Sequence, residues 1–214
     1  MPMAKPVLHG PIYSSHVRVV RLCLAEKNVA YEMQDVDLLR GAARKPAHRK
    51  LHPFGKVPVL QHDGRTIYET SAIARYVDAA FPGPSLQPAD PAQAARMNQI
   101  VAVLETYLHP LMIGQVVMQY VRQRYMKKPI NRGAIQKAMP QIRDGLTALE
   151  ALIDPGEFVV GKSVTLADLF LGAFLAPFAQ TPEGKRTLPK FAKLNAWWDG
   201  FNARRSMAAT VPQL

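Results

Sequence analysis

The chain has 214 residues, 48% of them hydrophobic, enough for one large domain or two small ones around a sizeable core. No uninterrupted apolar run reaches the roughly 18 residues that cross a membrane. Met1-Pro2-Met3-Ala4-Lys5-Pro6 lacks the apolar centre of a signal peptide, and the single cysteine, Cys23, excludes an internal disulfide and a cysteine-cluster metal site. A soluble cytoplasmic protein without metal is expected. The formal net charge of +11 gathers at residues 40–50 and 122–143. It suits a field for an anionic ligand, a nucleic-acid surface or plain solvation. Neither tryptophan lies in a basic cluster, and no zinc-finger spacing or RNA-binding signature is present, so nucleic acid ranks last.

Residues 5–10 form a strand candidate stopped by Gly10-Pro11. Tyr13-Ser14-Ser15-His16 lead into a helix on which Val17, Val20 and Leu24 are joined by Val19, Leu22 and Cys23, a broad apolar surface that predicts burial. Glu26-Lys27-Asn28 end it, with Asn28 as the C-cap type. Residues 31–36 read as a second strand, and residues 39–50 as a basic, loosely helical segment. Residues 57–60 and 66–68 are short apolar runs, and Asp63-Gly64 between them signals a hairpin because both tolerate positive φ. Pro58 cannot donate to a ladder, so it belongs at a strand start, an edge or a bulge, and Val57–Pro58 is a cis-peptide candidate. Such a bond leaves the Val57 N–H and C=O for an extended peptide ligand.

A helix follows from residue 70 to about 80, with Ala72, Ile73, Tyr76 and Val77 at helical spacing and Thr70 as an N-cap type. Its N-terminus attracts a carboxylate, and Glu69 beside it offers a charge for an ammonium group. One spot can thus take both charges of an α-amino acid. The order is β-α-β-α-β-β-α, a mixed sheet with helices.

The Pro- and Gly-rich residues 81–88 read as a linker. Beyond Pro91, Met97, Ile100, Val101, Leu104, Leu108 and Leu111 share one helix face, which Pro110 should kink or split. A second helix, residues 134–153, turns Ile142, Leu146, Leu149 and Leu152 inward and stops at Asp154-Pro155-Gly156. Thr165 and Asp168 have capping-box spacing, with Leu166, Leu169, Phe170, Ala173 and Phe174 as the buried face behind them. A last helix spans residues 189–204 with Phe191, Leu194, Trp197 and Trp198.

Pro53-Phe54-Gly55-Lys56-Val57-Pro58 followed by Glu69-Thr70-Ser71-Ala72-Ile73 resembles the glutathione-binding half of a glutathione transferase, with His52 and Thr70 in place of the family's Asn and Ser. The resemblance covers nearly the whole chain. It implies a thioredoxin-like domain at residues 1–81, an all-helical domain at residues 88–214 carrying part of an acceptor pocket, and a homodimer with Phe54 packing across its interface. The implied activity is attack of glutathione thiolate on a small apolar electrophile. The alternative is a non-catalytic glutathione-binding or structural relative. Thr165 and Asp168 match a capping box of the family's helical domain and are assigned to folding.

A free thiol has a pKa of about 8.5, so the enzyme must favour the thiolate, most simply by a hydroxyl hydrogen bond beside a helix N-terminus. The chain is most similar to the serine-type, phi-like members, which carry a Ser four residues before an Arg. Ser14 before Arg18 is that match, with Ser15 and Tyr13 as alternatives. Ser15 could instead cap the helix, and Tyr13 could line the acceptor pocket. Cys23, mid-helix among apolar neighbours, is not a rival. Val57, Pro58, Glu69 and Thr70 are the implied glutathione contacts. The family's His-Lys pair for the glycine carboxylate falls on Ala43 and Arg44, which leaves Arg44, Lys45 and Lys56 as candidate cations. Leu111, Met112, Gln115, Met118 and Gln119 are implied with Tyr13 around the acceptor.

Overall fold

The computed structural model describes residues 5–154 and 156–212. Residues 1–4 and the Pro155 of the expected helix stop lie outside them. By contacts the chain divides into two units. One runs to Leu86 and takes in the segment from Arg205; the other is Gln87–Arg204.

The first unit is built on strands β1 (Val7–His9), β2 (Glu32–Gln34), β3 (Val59–His62) and β4 (Arg65–Tyr68), in the order β2-β1-β3-β4. β1 pairs parallel with β2 and antiparallel with β3, and β3 antiparallel with β4. In the centre Leu8 lies opposite Leu60, and neither side chain is exposed. Asp63 (φ 48°) and Gly64 (φ 71°) make the tight turn between β3 and β4 with both residues left-handed. Helices α1 (Ser15–Glu26), α2 (Pro46–Arg49) and α3 (Thr70–Ala80) complete this thioredoxin-like arrangement, with α1 packed on α3.

The broad apolar surface of α1 is buried as expected: Val17, Val19, Val20, Leu22, Cys23 and Leu24 are inaccessible. Burial pushes the Cys23 thiol up, so it is inert. At the helix end Asn28 is left-handed, its N–H donates to Ala25 O, and Val29 N–H donates to Leu24 O, the paired bonds of a Schellman ending. Lys27, just before it, is buried and donates to Asp78 O (2.9 Å), Asp78 Oδ1 (3.1 Å) and Pro84 O (3.1 Å). Asp78 Oδ1 also accepts from Leu86 N–H (2.8 Å), so one buried pair fixes the linker to both helices.

The chain end departs from the expected division. Residues from 205 onward, expected within the helical domain, group with the first unit. Helix α10 (Arg205–Ala209) packs on α1, where buried Arg18 donates to Met207 O (3.1 Å) and Thr210 Oγ1 (3.3 Å), and Arg21 to Thr210 O (3.0 Å). Burial and the neighbouring Arg21 lower the Arg18 pKa to about 10, which leaves it charged.

The second unit contains α4 (Pro91–Val103), α5 (Met118–Met126), α6 (Arg132–Leu152), α7 (Leu166–Ala179), α8 (Pro182–Thr187) and α9 (Ala192–Asn202). α4 and α5 are ends of one 36-residue helix, Pro91–Met126. Between them Leu104–Leu108 and Pro110–Val117 are wound in π register, seen where His109 N–H reaches Leu104 O. Pro110 lacks the N–H that an α-helix would aim at Thr106, and the wider register absorbs the defect without ending the helix. By length and composition this helix could cross a membrane. Here its stripe of Met97, Ile100, Leu104, Leu108, Met112 and Val116 is buried in the core of the unit.

In α7, residues 166–175 are all buried. The capping box is present, and Asp168 also serves two further donors: its Oδ1 accepts from Val159 N–H (2.8 Å) and Trp197 Nε1–H (2.9 Å), its Oδ2 from Thr165 N–H (2.8 Å). The expected last helix is divided at Phe191 into a short 3₁₀ turn, Leu188–Lys190, and α9. α8, capped by Thr181 Oγ1 accepting from Gly184 N–H (3.0 Å), was not expected from the sequence.

Candidate active site

Ser14 is the last extended residue before α1 (φ −73°, ψ 126°), and its Oγ accepts from Val17 N–H at 3.4 Å. It is therefore the N-cap, and Ser15, the alternative cap, is the first helical residue and buried. A serine oxygen that accepts a backbone N–H keeps its own proton for donation. That proton sits at the positive end of a 12-residue helix, where an anion is favoured. Tyr13 is 37% exposed, and its pKa is raised by burial and by Asp37 and Asp35, so it remains a phenol at neutral pH.

Gly10 connects this end of α1 to the proline loop. Its φ is +146°, and a Cβ there would come within 2.4 Å of Val17 Cγ2 and 3.2 Å of Val57 Cβ. Only glycine allows the first turn of α1 and Val57 to approach so closely. The Val57–Pro58 bond is cis, and strand pairing begins at Val59, beyond Val57. The loop is held from the other side by His48, whose Nε2 donates to Lys56 O at 2.7 Å. Gly55 (φ +61°) is pressed against the backbone of Ala43: a side-chain carbon on Gly55 would stand only 2.9 Å from Ala43 O.

The candidate cations lie around this loop. Ala43 is buried, whereas Arg44 and Lys45 are exposed, as is Lys56, and none of the three makes a side-chain hydrogen bond or ion pair among the described residues. Half-buried His16, in the first turn of α1, has its pKa pulled down to about 4 by burial and by the charge of Lys56. It stays neutral at physiological pH.

At the second motif the cap is Glu69, not Thr70. Glu69 has φ 71° and ψ 123° and makes no side-chain cap bond, while Thr70 is the first helical residue and buried. A non-glycine residue held at positive φ costs on the order of 1–3 kcal/mol. It leaves the exposed Glu69 carboxylate beside the N-terminus of α3, so opposite charges face outward together. His52, at the family's Asn position, is buried with its ring 4.8 Å from Tyr68. Burial lowers its pKa, opposed by the Glu69 charge.

Of the expected acceptor-pocket residues, Gln115 is exposed, but Met112 has no accessible surface. Met112 is a core residue of the second unit: its helix face, not its polarizable sulfur, decides its place. His16 and His48 were missed as site neighbours. His48 lies in the basic segment, where its spacing to Lys56 carries no local pattern. Gly10 was read only as a strand stop.

A cis-proline loop beside a capped helix start, together with Glu69 ahead of α3, makes a candidate site for a thiol peptide on a thioredoxin-like sheet. Family models agree: the glutathione S-transferase N-terminal domain matches residues 13–80, and the glutathione S-transferase C-terminal domain matches residues 132–199. The chain belongs to the glutathione S-transferase family and is an enzyme of its phi-like kind. It is 31% identical to glutathione S-transferase F10 of Arabidopsis thaliana over 92% of each chain. It is 37% identical to a probable maleylacetoacetate isomerase of Caenorhabditis elegans, over 79% of this chain and 77% of that one. The crystal structure of glutathione transferase F2 from Populus trichocarpa superposes with a TM-score of 0.86 at 25% identity, covering 96% of this chain and 97% of that chain.

Proposed function

We propose that this glutathione transferase holds the thiol of glutathione as a thiolate through the Ser14 hydroxyl and directs it at a small apolar electrophile. The carrying observation is Ser14 at the cap of α1, with its oxygen toward Val17 N–H and its proton left to give. The peptide's cysteine pairs with the Val57 backbone at the cis-Pro58 loop. The γ-glutamyl ammonium meets Glu69, its carboxylate meets the N–H groups of α3 beginning at Thr70, and the glycine carboxylate meets Arg44, Lys45 or Lys56. The thiol proton leaves to solvent. Sulfur then forms a bond to carbon, and the electron pair displaced there goes to a leaving group or is protonated. Tyr13 and Gln115 belong to the acceptor side. The protein works in the cytoplasm as a homodimer, with Phe54, 69% exposed and edge-on to His52 and Tyr68, as the contact residue.

The isomerase relative at 37% identity favours a second reading in which the thiolate adds to a double bond, the adduct rotates, and sulfur leaves again with no net conjugation. Loss of thiol in stoichiometric amounts marks the first reading. Turnover of a cis-diacid without thiol consumption marks the second. A non-catalytic role is disfavoured by the likeness to named transferases over most of the chain.

One hydrogen bond to a charged group contributes about 1.5–3 kcal/mol, or roughly one to two pKa units. Ser14→Ala should therefore raise the pKa of bound glutathione by about that much and slow turnover at neutral pH by one to two powers of ten. Thiolate absorbance against pH, compared across Ser14→Ala, Ser15→Ala and Tyr13→Phe, is the test. An unchanged pKa in Ser14→Ala with a raised one in another variant moves the role to that residue.

A further inference from the structure

The basic residues 122–143 take no part in the glutathione site, and some of them surround a cavity in the second unit. About 320 Å³ in volume, it is lined on α6 by Arg132, Ile135, Gln136, Met139 and Arg143 and on α8 by Glu183 and Arg186. Arg132, Gln136, Met139 and Arg143 recur at i, i+4, i+7 and i+11, so they form one stripe about 16 Å long on one face of α6. Buried Ile135 and half-buried Met139 supply an apolar floor. Across from them, buried Glu183 is fully engaged: Oε2 accepts from the Tyr120 hydroxyl at 2.7 Å, and Oε1 faces Arg186 Nη2 at 3.5 Å. Burial and that carboxylate push the Tyr120 pKa up to about 12, so the phenol stays a donor. The Glu183 carboxylate keeps its charge, and Arg186, its partner at the cavity wall, offsets it. Arg132 and Arg143 have no side-chain hydrogen-bond or ion-pair partner among the described residues.

A lone solvated arginine is ordinary on a chain of this charge. Here two such arginines share one concavity with an apolar floor and with Arg186, which is paired to Glu183. Guanidinium forks match planar oxyanions bidentately, and two such forks at opposite ends of a stripe match two anionic groups. We propose that this cavity is a second ligand site, apart from the glutathione site, for a small organic dianion: a short apolar body carrying two carboxylate or phosphate groups.

Calorimetric titration of the full chain with adipate, with butane-1,4-diyl bis(methyl phosphate) and with hexanoate tests this. At least one dianion should bind saturably below about 10 mM. The monoanion hexanoate, which can engage one fork only, should bind about tenfold or more weaker. Saturation by adipate alone identifies a carboxylate ligand, by the bis(methyl phosphate) alone a phosphate ligand. Both arginines are exposed, so Arg132→Gln and Arg143→Gln leave the fold intact. Together they should weaken the bound dianion by about tenfold or more, with glutathione affinity and turnover unchanged. Failure of both dianions to saturate, hexanoate binding as well as adipate, or binding that survives the double substitution would each overturn the proposal.

Discussion

Ser14 and Ser15 have the same side chain, and only the backbone tells them apart. Ser14 is extended and Ser15 helical, so the cap falls on the residue also assigned to the thiol. Sequence chemistry narrows a cap to a polar pair but not to one member, because the boundary is where φ and ψ turn helical. One consequence is that Ser14→Ala loses about 1 kcal/mol of stability besides its effect on sulfur. Ser15→Thr, which keeps the hydroxyl, serves as its control in thermal melts. Glu69 shows the same limit: the sequence marked the pair with Thr70 but placed the cap one residue late. The pair should still act on binding rather than on the bound reaction. Glu69→Ala and Thr70→Ala are expected to raise KM for glutathione with little change in kcat, since the proposed pose sets both at the γ-glutamyl end, away from sulfur. Steady-state kinetics with unaltered KM in both variants would remove this assignment.

Elements with a strong period or a turn signal were legible, and elements set by distant contacts were not. The Asp63-Gly64 hairpin and the Thr165–Asp168 box are local patterns found in place, whereas on α3 Ile73 and Val77 are buried as expected but Ala72 is exposed and Ala74 is buried in its stead. Pro110 announced a defect but not its form, because π winding depends on which carbonyl the freed turn can still reach. The C-terminal segment was misplaced for a different reason. Arg18 and Arg21 reach it over 189 positions of sequence, and no window of sequence contains both ends. The capping box illustrates how a local motif acquires long-range weight. Asp168 is buried, and its carboxylate serves Val159, Thr165 and Trp197 at once. Asp168→Ala would orphan four buried donors, the N–H groups of Val159, Thr165 and Trp197 and the Thr165 hydroxyl, each costing about 1–3 kcal/mol. Partial relaxation brings the expected loss to about 3–5 kcal/mol. Denaturant titration measures it. The fraction that still folds should bind glutathione with a normal thiol pKa, because this motif lies in the second unit.

For the whole molecule, five of the six histidines lie in the first unit, and burial lowers the pKa of three of them. Burial is the first cause for His16, His9 and His52, and in each it lowers the pKa. Neutral imidazoles suit a chain already at +11, where each further proton adds to self-repulsion. The sign of the linkage follows. An unfolded His16 takes up its proton near pH 6.5, whereas the folded one waits until about pH 4. The unfolded state therefore binds more protons between those values, and stability contributed by His16 is complete above pH 6.5 and is lost as pH falls toward 4. A displacement of that size corresponds to at most about 3 kcal/mol, with His9 and His52 acting in the same direction. Thermal melts at pH 7 and pH 4.5 should show a falling Tm for the native chain and a smaller fall for His16→Gln, which has no proton to take up. Equal pH dependence in the two proteins would place the acid sensitivity on other groups and leave His16 a packing residue alone.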